Sequence, residues 1–225
     1  MTRAEKIALI RSQPQLSVAT LTADIGDQNA ALQTLVENGV RLLHFDVMDG
    51  VIWPTITVGS PFVAGLKTEL LKDIHLLIDK PEKHIAAFAK AGADLISFSV
   101  EYTDEIGTTL GFISEHDDIV RGASLNPGTP VETIAPHLDQ IDYVLVLGVG
   151  PDTGKQAFLD DLPAKIAELR SLKPDILVCV DGAVKRETID QIAAMKPDFV
   201  VSGSAIFDGN DPVANLTIFN NALAQ

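Results

Sequence analysis

Short apolar runs recur along the chain and alternate with stretches whose apolar residues follow helical spacing. The runs predict eight β-strands, near residues 16–22, 41–47, 72–78, 94–100, 119–125, 142–148, 175–180 and 198–202. Stretches with helix-compatible spacing lie between them, and they include 28–38, 81–91, 129–138, 160–172 and 185–195. Strands that alternate with helices favour a parallel sheet with crossover helices.

The number of strand–helix units limits the fold classes that fit the sequence. Eight βα units in 225 residues are typical of a (β/α)8 TIM barrel, whose usual length is about 250 residues. A doubly wound open sheet is the alternative, but residues 23–27 after the first predicted strand lack the Gly-x-Gly-x-x-Gly pattern of that fold. No linker divides the chain, so the sequence predicts an α/β protein with a single (β/α)8 barrel domain over residues 1–225.

Composition and charge exclude several classes of partner. The longest apolar runs, such as 143–149, are too short to span a membrane, and the N-terminal residues lack the apolar region of a signal peptide. The single cysteine, Cys179, excludes an internal disulfide framework. A formal net charge of −14 opposes non-specific binding to nucleic acid or to an acidic membrane. We therefore expect a cytoplasmic protein with no membrane or nucleic-acid partner.

A histidine and an aspartate lie two residues apart at the end of the second predicted strand. Because strand side chains alternate between faces, Leu42, His44 and Asp46 share one face. An imidazole and a carboxylate on a buried strand are unfavourable to desolvate unless another group compensates them, and a divalent cation would do so. This pair is therefore a candidate for metal binding.

Two similar groups occur at other predicted strand ends, namely His75 in the third strand and Asp181 directly after the seventh. Taken alone, a strand histidine is more often a hydrogen-bonded core residue, and Asp181-Gly182 is more often only a turn. In a (β/α)8 barrel, however, the C-terminal ends of the strands form one mouth, where such barrels carry out chemistry. The sequence therefore predicts that two histidines and two carboxylates meet there.

Glycine-containing segments follow the last three predicted strands. Gly182-Ala183 follows the seventh strand, Gly203-Ser204 follows the eighth, and a loop that includes Gly154 follows the sixth. Backbone N–H groups in such loops and at helix N-termini bind phosphate in many barrels. An ordinary turn explains a single glycine loop equally well, but the clustering of three favours a phosphate site.

The chain resembles the ribulose-phosphate 3-epimerase family over about residues 16–207. The segments that carry the resemblance occur in the family's order, which makes the match specific. They are His44-Phe-Asp46-Val-Met48-Asp-Gly50, Asp73-Ile-His75-Leu, Ala91-Gly-Ala-Asp94, Leu125-Asn-Pro-Gly-Thr-Pro130, Val180-Asp181-Gly182 and Ser202-Gly203-Ser204-Ala-Ile-Phe207.

The resemblance implies an isomerase of the pentose phosphate pathway that interconverts D-ribulose 5-phosphate and D-xylulose 5-phosphate. It implies one divalent ion, Zn²⁺, Mn²⁺, Fe²⁺ or Co²⁺, held by His44, Asp46, His75 and Asp181. The two aspartates would also exchange the C3 proton on opposite faces of the substrate, through a cis-enediolate. Met48 matches a methionine that lines the metal cavity in the family, and family members are often homo-oligomers.

Other positions depart from the family pattern. The loop after the sixth strand, usually Asn-Pro-Gly-Phe-Gly-Gly-Gln, reads Gly150-Pro-Asp-Thr-Gly154-Lys-Gln156. Ala183 replaces the second glycine of Asp-Gly-Gly, and Ala19 replaces a serine of the first strand. These positions hold the sugar tail, so the reaction type is better supported than the substrate. D-Allulose 6-phosphate or another ketose phosphate is the alternative substrate.

Two other classes of function fit the sequence less well. Related barrel enzymes that perform decarboxylation or aldol chemistry carry Asp-x-Lys-x-x-Asp on a strand, whereas Met48 stands two residues after Asp46 here. A non-catalytic sugar-phosphate-binding barrel would be expected to lose at least one ligand or base. All four candidate residues are present, so we expect an enzyme.

Overall fold

Parallel strands close into a barrel in the computed structural model of the protein, which describes residues 1–151 and 159–225. The strands within these residues are β1 (Gln15–Ala19), β2 (Leu42–Met48), β3 (Leu71–Leu77), β4 (Leu95–Phe98), β5 (Val120–Leu125), β6 (Tyr143–Leu147), β7 (Leu177–Asp181) and β8 (Phe199–Ser202). Each strand pairs with the next one along the chain, and β8 pairs with β1. The predicted (β/α)8 barrel is confirmed.

Helices connect the strands and surround the barrel. The α-helices of the described ranges are α1 (Arg3–Ser12), α2 (Gln28–Glu37), α3 (Ser60–Gly65), α4 (Ile85–Lys90), α5 (Ile106–Ser114), α6 (Leu162–Leu172), α7 (Ile189–Ala193), α8 (Ser204–Phe207) and α9 (Pro212–Leu223). Short 3₁₀ helices include Thr20–Thr22, Ile25–Asp27, Pro81–Lys83, Val100–Tyr102, Val131–Thr133, Ala135–Gln140 and Asp208–Asn210. No helix in the parts of the chain that the structure describes is both long and apolar enough to cross a membrane.

The observed helices differ from the predicted stretches at several points. The stretch 129–138 forms two 3₁₀ helices instead of one regular helix, because Pro136 has no backbone N–H to donate within the segment. The stretches named above do not include α1, α3, α8 or α9. They also do not include α5, in which Gly107 and Gly111 lower the helix propensity. Its Leu110 and Ile113 are fully buried, so packing against the barrel stabilises it.

The apolar residues form two layers, one outside the strands and one within the barrel. On β2, Leu43, Phe45 and Val47 belong to the outer layer, which packs against the helices. Leu42 belongs to the inner layer, together with inward residues of the other strands. This alternation is the period-two pattern of a strand with two different faces. It turns His44 and Asp46 toward the barrel interior.

Helix α1 covers the N-terminal end of the barrel. Its Ile10 is buried against the inner apolar layer, and Lys6 is buried beside it. The Nζ of Lys6 lies 2.8 Å from Asp94 Oδ1 and donates a hydrogen bond of 2.8 Å to the carbonyl oxygen of Asp118. This end of the barrel is therefore closed by packed side chains, which leaves the opposite end for a functional site.

Candidate metal centre

Four polar side chains from three strands meet at the C-terminal end of the barrel interior. They are His44 and Asp46 of β2, His75 of β3 and Asp181 of β7. One ligand atom from each residue lies within 4.8 Å of all the others. The register of β2 and β3 places Asp46 beside His75. The structure thus brings together the four residues that the sequence placed at one mouth.

The distances between these atoms fit a shared cation. Asp46 Oδ1 lies 3.2 Å from His44 Nε2 and 3.2 Å from His75 Nδ1. Asp181 Oδ2 lies 3.4 Å from His75 Nδ1 and 3.8 Å from His44 Nε2. Two imidazole nitrogens and two carboxylate oxygens form a donor set that suits Zn²⁺ and similar first-row divalent ions. The residues present therefore fit a divalent metal.

Both imidazoles also use their second ring nitrogen. His44 Nδ1 donates to Asp73 Oδ2 at 2.7 Å, because a carboxylate only accepts. His75 Nε2 lies 2.9 Å from the hydroxyl of Ser124, which donates to Ser99 at 3.3 Å. Metal-binding histidines commonly have such a partner on the nitrogen that faces away from the ion. This arrangement is independent support for the fit to a metal.

Burial and close pairing shift the pKa values of three of these residues, His44, His75 and Asp46. Burial acts to lower the pKa of His44, but Asp73 and Asp46 outweigh it and raise this pKa well above its ordinary value. The pKa of His75 is also raised, because hydrogen bonds with Asp181 and Asp46 outweigh burial. Burial acts to raise the pKa of Asp46, yet the two imidazoles hold it well below its usual range. This pairing favours protonated imidazoles and an ionised Asp46, and a metal ion would compete with those protons.

The loop after β2 is anchored to the site by a residue that the sequence analysis missed. The hydroxyl of Thr57 donates to the carbonyl oxygen of Asp46 at 2.6 Å and accepts from the N–H of Met48 at 2.9 Å. Met48 and Trp53 pack against the inner apolar layer. A single threonine in a loop carries no sequence signal for such a role. These contacts of Thr57 fix the backbone at the C-terminal end of β2, next to the side chains of His44 and Asp46.

The predicted phosphate-binding residues lie in the loops after β7 and β8. Gly182 and Ala183 have φ angles of 80° and 59°, so two successive residues adopt the left-handed conformation. That conformation is easy for Gly182 but strained for Ala183. Gly203 is the N-cap of α8, and Ser204 is the first residue of that helix. Gly154 lies outside the described residues, so its predicted role stays a prediction.

Comparison with known proteins supports one family. Residues 15–207 match the model of the Ribulose-phosphate 3 epimerase family. The chain belongs to the ribulose-phosphate 3-epimerase family. Ribulose-phosphate 3-epimerase of Bacillus subtilis (strain 168) is 34% identical over 204 residues, which cover 88% of this chain and 94% of the relative. The enzyme of the same name from Schizosaccharomyces pombe is 31% identical over 218 residues, with 95% of each chain covered. The expectation of an epimerase is confirmed.

Solved structures with lower sequence similarity support the fold alone. The crystal structure of 3-keto-L-gulonate-6-phosphate decarboxylase from Vibrio cholerae aligns with a TM-score of 0.70 and 15% identity, covering 94% of this chain and 97% of that one. The structure of 3-hexulose-6-phosphate synthase from Salmonella typhimurium aligns with a TM-score of 0.65 and 17% identity, covering 93% and 98%. The barrel is thus shared with proteins whose names denote other reactions, so the site must indicate the function.

Proposed function

We propose that this family member is a metal-dependent ketose-phosphate 3-epimerase that interconverts D-ribulose 5-phosphate and D-xylulose 5-phosphate. The observation that carries the proposal is the meeting of His44, Asp46, His75 and Asp181 in one cluster. The relatives named above carry ribulose-phosphate 3-epimerase as their name. We further propose the cytoplasm as its location, as the name "cytoplasmic isoform" of a rice relative suggests, and a homo-oligomer as its assembly.

We assign the metal to the four clustered side chains and the proton transfers to the two aspartates. Epimerisation at C3 requires removal of a weakly acidic C–H proton next to a ketone. A divalent ion, Zn²⁺, Mn²⁺, Fe²⁺ or Co²⁺, would supply Lewis-acid stabilisation of the negative charge on the enediolate oxygens. One carboxylate of the pair Asp46 and Asp181 takes the proton from one face, and the other donates a proton to the opposite face. The pair must therefore start in unlike protonation states.

Substrate binding is assigned to the loops at the same end of the barrel. The backbone N–H groups around Gly182, Ala183, Gly203 and Ser204 are proposed to bind the phosphate, with Gly154 from the loop after β6. Met48 is proposed to line the cavity beside the metal. These groups would bind the substrate at its phosphate end, away from the reacting carbon. They would therefore select the chain length of the substrate rather than the type of reaction.

Proton NMR in D₂O tests the proposal directly. Metal-loaded protein is mixed separately with D-ribulose 5-phosphate and D-allulose 6-phosphate, and the C3 proton signal is followed. We expect exchange for deuterium and formation of D-xylulose 5-phosphate with the pentulose. Faster conversion of the hexulose would replace the proposed substrate but keep the reaction. No exchange with either compound in a folded, metal-loaded protein would overturn the proposal.

A further inference from the structure

We propose that Asp73 is a positioning residue of the metal centre, which fixes the ring of His44 so that its Nε2 faces the ion. The inference rests on the proposed function, because it concerns a ligand of the same metal site. Asp73 itself does not belong to the four clustered residues. It lies on β3 two residues before His75, and the strand register places it directly beside His44. Both side chains point into the barrel.

The contact between the two side chains is short and inaccessible to solvent. His44 Nδ1 and Asp73 Oδ2 are 2.7 Å apart, and both residues are fully buried. A carboxylate oxygen accepts hydrogen bonds, so this contact places a proton on Nδ1. In that tautomer the lone pair of the ring lies on Nε2, which is 3.2 Å from Asp46 Oδ1 and 3.8 Å from Asp181 Oδ2. The bond therefore selects the tautomer that can bind an ion.

The remaining partners of Asp73 hold the carboxylate in place without neutralising it. The hydroxyl of Ser17 donates to Oδ2 at 2.9 Å, and the hydroxyl of Tyr143 donates to Oδ1 at 3.4 Å. Among the ion pairs of the described residues, Asp73 pairs only with His44. A buried carboxylate is strongly unfavourable unless its oxygens accept hydrogen bonds. The hydroxyls thus orient the group, while its charge acts on His44.

The barrel interior makes room for one of these hydroxyls. Tyr143 lies on β6 and reaches across the barrel to Asp73 on β3. A Cβ atom on Gly122 of β5 would lie 2.3 Å from Cζ of Tyr143, so any larger residue there would displace the ring. Only glycine therefore fits at this point of β5. The cross-barrel contact depends on that close approach.

The other imidazole offers a comparison within the same site. The ring nitrogen of His75 that faces away from the cluster, Nε2, contacts the hydroxyl of Ser124 instead of a carboxylate. A hydroxyl can donate or accept, so it selects a tautomer less strongly and adds no charge. A carboxylate partner makes an imidazole a better metal ligand. We therefore expect His44 to be the more strongly supported ligand of the two.

The first test measures Co²⁺ affinity of the metal-free full-length protein by competition with a chromogenic chelator. Asp73→Asn should weaken binding by about 10- to 100-fold and alter the visible spectrum of the bound Co²⁺. Asp190→Asn is the matched control, because it makes the same chemical change on an exposed residue of α7. Its affinity should stay within about threefold of the wild type. Wild-type affinity in folded Asp73→Asn, or equal losses in both variants, would overturn the proposal.

A second measurement needs no variant at Asp73. In the zinc-loaded wild type, ¹H–¹⁵N correlation spectra of the histidine rings should show His44 with its proton on Nδ1 and the metal on Nε2. The opposite arrangement would overturn the inference even if Asp73→Asn does not fold. Failure of the wild type to bind either metal would overturn the metal site and the inference together. Normal wild-type binding and turnover, with unchanged Asp73→Asn affinity, would overturn the inference alone.

Discussion

The two ends of the barrel interior differ in the polar side chains that they bury. The N-terminal end is filled by the apolar side chains of Leu42, Leu71, Leu95, Val120 and Phe199. The C-terminal end holds the metal-binding cluster of two histidines and two aspartates. On β2 the change takes one inward step, from Leu42 to His44, and both residues are fully buried.

Because of this difference, the N-terminal part of β2 contributes mainly to stability and the C-terminal part mainly to the proposed chemistry. Burial of apolar surface at the N-terminal end stabilises the fold by roughly 25 cal/mol per Å². Burial of charged groups at the C-terminal end opposes folding unless they pair with one another or with an ion. Substitutions at the first end should therefore change the free energy of unfolding, and substitutions at the second should change metal binding and turnover.

The largest expected effect is at the polar end, for Asp181→Asn. This change removes a proposed base and a proposed ligand without changing the size of the side chain. We expect turnover of D-ribulose 5-phosphate to fall by at least about 10³-fold. Turnover is measured by NMR, with metal content measured in parallel. The control is Asp190→Asn, on an exposed residue of α7, which should keep full activity. Substantial turnover by Asp181→Asn would rule out the two-base assignment.

At the apolar end, Leu42→Ala should lower the free energy of unfolding by about 2–5 kcal/mol. Leu42 is fully buried in the inner apolar layer, so truncation of its side chain leaves a cavity in that layer. Urea unfolding of the metal-free protein measures this loss. The affinity for Co²⁺, measured where the variant is fully folded, should change by less than about threefold. A tenfold loss of affinity would show that the apolar layer sets the geometry of the site.

The sequence predicts the difference between the apolar and polar ends of the barrel well where that difference depends on local pattern. Strand alternation is enough to put His44 and Asp46 on the inner face, and barrel topology brings His75 and Asp181 to the same end. The same alternation places Asp73 on the inner face two residues before His75, so its position, although not its partner, follows from local pattern.

Contacts across the barrel are not predictable in this way. The bond from Tyr143 to Asp73 joins residues 70 positions apart and depends on the space above Gly122. Helix α5 was missed for a related reason, because tertiary packing there outweighs the low helix propensity of its glycines. Local pattern therefore predicted the ligands, whereas their supporting partners required three-dimensional structure.

The pH dependence should also differ between the two ends. The raised pKa values of His44 and His75 stabilise the metal-free fold below about pH 6.5, the unfolded value, and this contribution is lost as pH rises through the folded pKa values. The lowered pKa of Asp46 keeps that group ionised in this range, so its contribution is constant. Metal-free protein should therefore become less stable above about pH 6.5.

Metal affinity should change in the opposite direction. It should rise by up to about tenfold per pH unit for each proton that the ion displaces. Urea unfolding and Co²⁺ titration between about pH 6 and 8 measure both trends. The loss of stability in Leu42→Ala should be the same throughout, since no titrating group is removed. Rising stability of the metal-free wild type over this range would contradict the assignment of charge to the histidines.

The smallest expected effect compares two strained residues at opposite ends of the barrel. Ala183 follows β7 at the C-terminal end, and Lys196 precedes β8 at the N-terminal end, with φ angles of 59° and 56°. Replacing either residue by glycine removes left-handed strain that is worth about 1 kcal/mol. Each variant should therefore unfold at slightly higher urea. Only Ala183→Gly should also lower the KM for D-ribulose 5-phosphate, by about two- to fivefold. We expect kcat to stay unchanged, because removal of the Cβ atom would strengthen phosphate binding by the same amount in the ground state and in the transition state. A matching fall of KM in Lys196→Gly, or no fall in Ala183→Gly, would remove Ala183 from the substrate site.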